Sequence, residues 1–481
     1  MEELPRSLHF IGVGGIGMSA LAQMAACLGC ETSGSDRALL SPENRRIMDS
    51  LRSKGVRLYA QDGSRFGEGE ELPEALVCST AIEKDNPDLR NAPAGIPRLH
   101  RSEALRLLVQ RCAAPVFAVT GSCGKTTVSA WLAESLDHLG VSASLLSGGL
   151  AKHFIRDGFA GNYAPGKDLC VLEADESDKS LLNYTADHAM ILNIGTDHYS
   201  KEVLAEVFRR FLLQTRISAV LEDRVLDAVG TECVKHLRVA LFSTDPSSPA
   251  VRDGYPVFRV TGYRSGRDGV RAQINGREVR LPQPGLHNAA NAAAVLAGLS
   301  LLGMEPEKAR SAVEGFSGVW RRFDFAGRTA GGAAGYDDYA HNVEKICSCV
   351  EAVHEVCPGR VVFLFQPHGY GPFGFMRPEL YPALEKVLGK EDVFAFLPVY
   401  YAGGTTSFQP RSEEVAAEYS ERHPGGRYRC FSNRSEAAEF LKNLGEADGV
   451  VVMGARDNSL SDWAGELAEH HSSDQKKGES R

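Results

Sequence analysis

An α/β fold of three domains is what this sequence predicts, on three observations. At 481 residues the chain exceeds what one core usually organises, since domains average roughly 150 residues. Three segments repeat an order of apolar strand, glycine-containing turn and helix, the pattern of layered structures with parallel sheets. The strands of the last segment end in polar or glycine residues, where open α/β sheets place their ligands.

The first segment runs Leu8 to Val13 into Gly14, Gly15 and Gly17, then into an apolar helix through Leu21, Met24 and Leu28 that closes at Gly29. Strands at 31–34, ending in Ser35-Asp36, and at 75–78, ending in Ser79-Thr80, complete a domain over residues 1–112. The second segment begins with the strand 115–120, followed by Gly121-Ser122-Cys123-Gly124-Lys125-Thr126-Thr127 and a helix over 128–139. Strands at 169–172 and 190–194 end at the acidic run Glu173 to Asp178 and at Asp197-His198. Alternation through 251–284 and the turn Asn275-Gly276 predict a small antiparallel part. A helix over 288–302 closes this domain, 113–317. The third domain, 318–467, carries strands at 360–365, 392–397 and 449–453, and a polar tail, 468–481, is expected to be disordered.

Composition excludes several classes of function. Acidic residues outnumber basic ones, 62 to 53, leaving no basic footprint for nucleic acid. The most apolar window, 289–304, is shorter than the ~20 residues of a membrane span and is broken by Asn291. The N-terminus carries Glu2 and Glu3 where a secretory signal carries basic residues, which predicts a cytoplasmic protein. Eleven cysteines spread over the whole chain read as reduced thiols. Cys27 and Cys30 lack a second pair at zinc spacing and read as packing residues.

The chemistry concentrates in the second segment. Gly121-x-x-Gly124-Lys125-Thr126 between strand and helix lets backbone N–H groups wrap a phosphate while lysine reaches the terminal phosphates. The spacing is shorter than the common phosphate-loop pattern, but Lys125-Thr126-Thr127 opening a helix is not explained by a turn alone. A triphosphate requires Mg²⁺, for which Thr126 and Glu173 offer hard oxygens. Among Asp175, Glu176 and Asp178, at least one reads as part of a solvated acidic turn, and His198 could ligate a metal or orient phosphate. Cys123, among loop amides and beside Lys125, is expected to be a reactive thiol. The first glycine pattern, with Asp36 about twenty residues on, fits a diphosphate at a helix N-terminus.

Taken together, residues 10–19, Ser79-Thr80-Ala81-Ile82, 121–127, 173–178, His287-Asn288-x-x-Asn291, 318–323, Asp337-Asp338-Tyr339-Ala340-His341, Phe365-Gln366-Pro367-His368 and Met453-Gly454-Ala455 resemble the Mur ligases in order along nearly the whole chain. The resemblance implies Rossmann-like N- and C-terminal domains around a central ATPase. It implies a reaction in which ATP phosphorylates the carboxylate of UDP-N-acetylmuramate, and an amino acid, L-alanine, captures the acyl phosphate. It further implies ATP binding by Gly121 to Thr127, Asn288, Asn291, Arg322 and Asp338, with Lys125, His198 and Arg322 catalytic and Thr126, Glu173 and His198 on metal. Gly14, Gly15, Gly17, Met18, Ser35, Asp36, Ser79 and Thr80 would hold the UDP-sugar, and Tyr339, His341, His368 and Arg377 the amino acid. No nucleic acid or membrane partner is implied, and a monomer or weak homodimer is expected.

The chain departs from the family pattern at Ser122-Cys123 and at Ala340, Asn342 and Val343. It departs again at Ala402-Gly403-Gly404, where Ala-Gly-Glu is expected, and at Gly369-Tyr370-Gly371, where arginines flank the tyrosine in the family. The last change removes a bidentate carboxylate clamp. Arg377 could replace it, the amine could be another such as a murein tripeptide, or ligation could be lost and only nucleotide binding kept.

Overall fold

A computed structural model describes residues 3–67, 69, 71–177, 179–195, 199–266, 269–401 and 408–478, with side chains described as far as residue 468. The chain packs as two compact units. One comprises residues 1–264, 271–282 and 286–320, and the other residues 321–481 with 265–270 and 283–285. Among the described residues no helix is long and apolar enough to cross a membrane.

The first unit contains two sheets. The smaller is parallel, in the order Arg57–Ala60, Glu31–Asp36, Ser7–Ile11, Ala75–Cys78, Arg98–His100. Its first strand therefore has neighbours whose connections leave in opposite directions, and the glycine loop emerges at this switch point, beside Ser79. The larger sheet has a parallel centre ordered Arg238–Ser243, Ser218–Glu222, His188–Ile191, Val116–Thr120, Leu169–Glu173, Ala143–Leu146. Beyond Arg238–Ser243 it continues as Tyr255–Arg264, Val270–Ile274 and Arg277–Leu281, the expected antiparallel part. Asn275 and Gly276 both have positive φ, 50° and 74°, as a tight hairpin turn requires. The central strands are buried on both faces, which is why they read as unbroken apolar runs.

The two sheets share one unit because polar side chains link them. Gln23 Nε2 donates to Asn162 Oδ1 at 3.1 Å, Asn162 Nδ2 donates to Ser19 Oγ at 2.8 Å, and Ser50 Oγ donates to Gln23 Oε1 at 2.8 Å, all buried. These groups hold the helix Ile16–Cys27 to the central domain, so residues 1–112 pack with 113–317. Residues 318–320, read from sequence as the start of the third domain, pair back onto the second. The Lys152 N–H donates to the Gly318 carbonyl at 3.1 Å, and the Trp320 N–H to the Leu150 carbonyl at 2.8 Å.

The second unit holds a sheet ordered Asp324–Arg328, Ala334–Asp338, Gly449–Met453, Val361–Phe365, Val393–Phe396, Tyr428–Cys430, antiparallel only at its first pair. Its last helix is Ser459–Gly478, so the tail expected to be disordered from 468 continues that helix, and 479–481 lie outside the described residues. Among the described residues, which include all eleven cysteines, no two cysteines form a disulfide.

Candidate functional site

The strand Val116–Thr120 ends in the loop Gly121 to Gly124, and the helix Lys125–His138 begins at the lysine itself, earlier than the apolar run suggests. Gly121 and Gly124 have φ of 136° and 89°, values that side chains rarely adopt, so both glycines are required by the turn. The loop is pinned from the neighbouring strand end. Asn193 Oδ1 accepts from the Cys123 N–H and its Nδ2 donates to the Cys123 carbonyl, each at 2.9 Å, while Ser122 Oγ accepts from the Gly195 N–H at 2.7 Å.

Lys125 Nζ donates to the Gly121 carbonyl at 2.7 Å and lies 2.9 Å from the carboxylate of Glu176, which is 2% exposed. Burial pushes the Glu176 carboxyl up and the Lys125 charge pulls it down. The acidic run is therefore not simply a solvated turn. Asp175 pairs with Arg101 at 3.0 Å and caps the Ser177 N–H at 2.9 Å.

Thr126 Oγ1 donates to Glu173 Oε1 at 2.9 Å, and the Gly148 N–H donates to Oε2 at 2.6 Å. A Cβ at Gly148 would stand 2.9 Å from the carboxylate, so the backbone at 148 approaches as a cradle. Hydroxyl and carboxylate thus meet beside the loop, a donor set suited to a hard cation such as Mg²⁺. A Cβ at Gly124 would be 3.1 Å from Asn291 Oδ1, and Asn291 Nδ2 donates to Asn288 Oδ1 at 3.2 Å, so both asparagines stand at the loop. Thr127 is half-buried in the helix's first turn. Asp178, Asp197 and His198 lie outside the described residues.

The expected sugar-binding residues divide. Gly15 and Gly17 are exposed at the start of the helix Ile16–Cys27, and Ser79 and Thr80 follow the adjacent strand with at least partial exposure. Four others turn inward. Met18 is 5% exposed in the core, and Ser35 is fully buried with its hydroxyl donating to Asp88. The Gly14 N–H donates to Asp36 Oδ2 at 2.7 Å, and Asp36 Oδ1 accepts from the Ala38 N–H at 2.8 Å. Asp36 therefore closes the glycine loop, and Gly14 is buried beneath it. A cleft of about 130 Å³ in this unit is lined by Gly17 and Arg101 from the first domain and by Ser147, Gly148 and Glu173 from the second.

In the second unit Arg321 and Arg322 separate in role. Arg321, 1% exposed, donates to Asp337 at 3.2 Å, to the Asp457 carbonyl at 3.0 Å and to the Gly454 carbonyl at 2.6 Å. Arg322 lies over the Tyr339 ring at 5.3 Å. Tyr339, His341 and His368 form a chain of edge-on rings with centroids 5.5 and 5.2 Å apart. Burial, with Lys345 nearby, lowers His341 to about 4. Asp338 accepts from the N–H groups of Phe323 and Ala340, at 2.6 and 2.7 Å. Arg377, the expected substitute clamp, is instead paired with Glu418, which Arg422 also reaches at 2.8 Å.

The departures have local causes. Asn342 caps the helix Val343–His354 by accepting from the Lys345 N–H at 3.0 Å. Gly369 has φ of 139°, which favours glycine, whereas a Cβ at Gly371 would meet nothing within 4 Å. Residues 402–404 lie outside the described residues. Asn193, Glu176, Gly148 and Arg101 were not assigned roles from sequence. A polar residue inside the apolar run 190–194 is the signal that marks Asn193.

Sequence profiles of the Mur ligase family match three stretches: the catalytic domain over residues 7–112, the middle domain over 119–299 and the glutamate ligase domain over 321–456. The chain belongs to the Mur ligase family. Among its relatives, the UDP-N-acetylmuramate--L-alanine ligase of Methylobacterium nodulans is 33% identical, covering 97% of this chain and 98% of its own. The enzyme of the same name from a Chelativorans species is 32% identical over 95% of this chain and 96% of its own. Of solved structures, the UDP-N-acetylmuramate-alanine ligase of Thermotoga maritima superposes with a TM-score of 0.77 at 24% identity, covering 97% and 99% of the two chains. A murein peptide ligase of Psychrobacter arcticus gives 0.65 at 18% identity, covering 97% and 98%. These likenesses fix this Mur ligase's fold as three α/β domains.

Proposed function

We propose that this Mur ligase joins the carboxylate of UDP-N-acetylmuramate to L-alanine, using ATP and releasing ADP and phosphate in peptidoglycan precursor synthesis. The observation that carries the reading is the cleft shared by Gly17 and Arg101 with Ser147, Gly148 and Glu173. It lets an acid held by the first domain meet the phosphates held by the second.

A carboxylate resists attack by an amine, and phosphorylation turns one of its oxygens into a leaving group. The loop amides of 121–124 and Lys125 would bind the phosphates, with Lys125 leaving Glu176 or bridging both. Thr126 and Glu173 would hold Mg²⁺, with His198 as a further ligand, and the cation supplies positive charge against the phosphates. Asn288 and Asn291 would contact adenine or phosphate, Asp338 the ribose, and Arg322 the transferring group. Gly15, Gly17, Ser79 and Thr80 would contact the UDP-sugar, and Tyr339, His341 and His368 the acceptor. This reading divides the chain at 112, near 320 and in the last helix. It places the enzyme in the cytoplasm as a monomer or weak homodimer without nucleic acid or membrane partner.

A second reading, ligation to another amine such as a murein tripeptide, is favoured by Gly369-Tyr370-Gly371 and by the engagement of Arg377 with Glu418. Phosphate release with ATP, Mg²⁺, UDP-N-acetylmuramate and a panel of amines separates them. Release with L-alanine alone supports the first, release with another acceptor the second, and no release with any acceptor contradicts both.

A further inference from the structure

Away from the phosphate loop, the helix Lys125–His138 carries Glu134 and His138 four residues apart, hence on one face. The short helix Lys152–Phe154 brings His153 against them. One donor atom from each of the three side chains lies within 4.8 Å of the other two. We propose that Glu134, His138 and His153 bind a divalent transition cation of the zinc type.

The strongest support is a buried carboxylate that faces two imidazoles. Glu134 is fully buried, and its Oε1 accepts from the Ser317 N–H and hydroxyl at 2.9 and 2.6 Å. Oε1 also lies 3.7 Å from His153 Nδ1 and 4.0 Å from His138 Nε2. Its Oε2 is buried with no hydrogen-bond partner among the described residues. A buried carboxylate oxygen left in this way is costly unless positive charge compensates it, and a cation between carboxylate and imidazoles supplies that charge.

The surroundings of His153 fit a ligand. Its Nε2 bonds Asp137 Oδ2 at 2.6 Å, and Arg156 holds the same carboxylate at 3.0 Å. With the proton on Nε2 directed to Asp137, Nδ1 presents its lone pair toward Glu134, the carboxylate–imidazole–metal arrangement that orients ligating histidines. Two nitrogens and one oxygen suit zinc, cobalt or nickel better than magnesium or calcium. Donors around a tetrahedral ion stand about 3.3 Å apart, so the site closes by side-chain rotation, for which partly exposed His138 has room.

The site is distinct from the nucleotide chemistry. Its two helical ligands lie nine and thirteen positions along the helix from Lys125, about 14 and 20 Å at 1.5 Å per residue. A cation there ties the helix end to residues 152–154 and, through Ser317, to the segment that leaves the central domain, and so stabilises the first unit.

The test uses the full-length protein, stripped by chelation and titrated with Zn²⁺ or Co²⁺ in excess Mg²⁺. The expected result is uptake of one equivalent, a rise in melting temperature, and a cobalt ligand-field band without a sulfur charge-transfer band. His138→Gln and His153→Gln should each weaken uptake at least about tenfold and lose the melting shift. Their retained ligase turnover shows that they fold. No uptake, unchanged uptake in both variants, or a sulfur band that reports cysteine ligation would overturn the proposal. Glu134→Gln is the weaker probe, because the Ser317 contacts make it a structural residue as well.

Discussion

The phosphate loop and the acceptor-side cluster are both built at the ends of parallel strands, yet they are held in different ways. Around the loop, charges and amides meet in pairs: Lys125 with Glu176, Thr126 with Glu173, Asn193 with both polar groups of Cys123. Around Tyr339, aromatic rings and imidazoles pack edge-on beneath Arg322, and Arg377 is engaged with Glu418. The first region is pre-set for a polyanion by direct polar contacts. The second is held by ring packing around Tyr339.

The largest expected effect tests the first region alone. Lys125→Ala should lower turnover by at least about a thousandfold, because it removes the cation nearest the transferred group. UDP-N-acetylmuramate affinity, measured by calorimetry, should be unchanged, since the proposed function assigns that ligand to the first domain. A parallel loss of sugar affinity would break the division of labour. Next, Asn193→Ala should cost about tenfold to a hundredfold in kcat/KM for ATP, since it releases the loop from the neighbouring strand without touching a phosphate.

Two substitutions then sharpen the second region. Gly371→Arg should fold normally, because a Cβ there would meet nothing within 4 Å among the described residues, and should lower the acceptor KM several-fold if the acceptor carries a carboxylate. Arg377→Ala should leave the acceptor KM within about twofold, since Glu418 already holds that guanidinium. A large rise in KM would restore Arg377 as the clamp.

The smallest effect is in pH. His341, lowered to about 4 by burial, stays neutral in the folded protein while an unfolded histidine charges below about 6.5. Acidification from 6.5 toward 4 therefore removes stability, and none of this cost is present above 6.5. Asp337, raised to about 6 by burial against the pull of Arg321, has the opposite sign: its contribution weakens as pH rises from about 4 through 6. Melting curves sum the two, so the prediction is checked by NMR titration of His341, with a midpoint near 4 rather than 6.5.

The difference between the regions also explains what was legible in the sequence. Strand, glycine turn and lysine at a helix start obey local rules, so Gly121 to Thr126 and the flanking elements could be read directly. Glu176 could not be, because whether an acidic turn faces water or a lysine depends on how the strand Leu169–Glu173 lies beside Val116–Thr120. Asp36 and Ser35 follow a strand at the spacing of a ribose ligand, but the turn consumes both: one carboxylate on Gly14, one hydroxyl on Asp88. The strands Ala143–Leu146, Ser218–Glu222 and Arg238–Ser243 went unread because short apolar runs carry no glycine turn to mark them.

The proposed function requires that the sugar acid's own carboxylate take the phosphoryl group in the cleft between the first two domains. UDP-N-acetylmuramate labelled with heavy oxygen in both carboxylate positions tests it in one turnover experiment with ATP, Mg²⁺ and L-alanine. The prediction is that one labelled oxygen leaves in the inorganic phosphate and the other stays in the amide. Unlabelled phosphate, with both heavy oxygens still on the sugar acid, would show ATP hydrolysis by water and contradict the account.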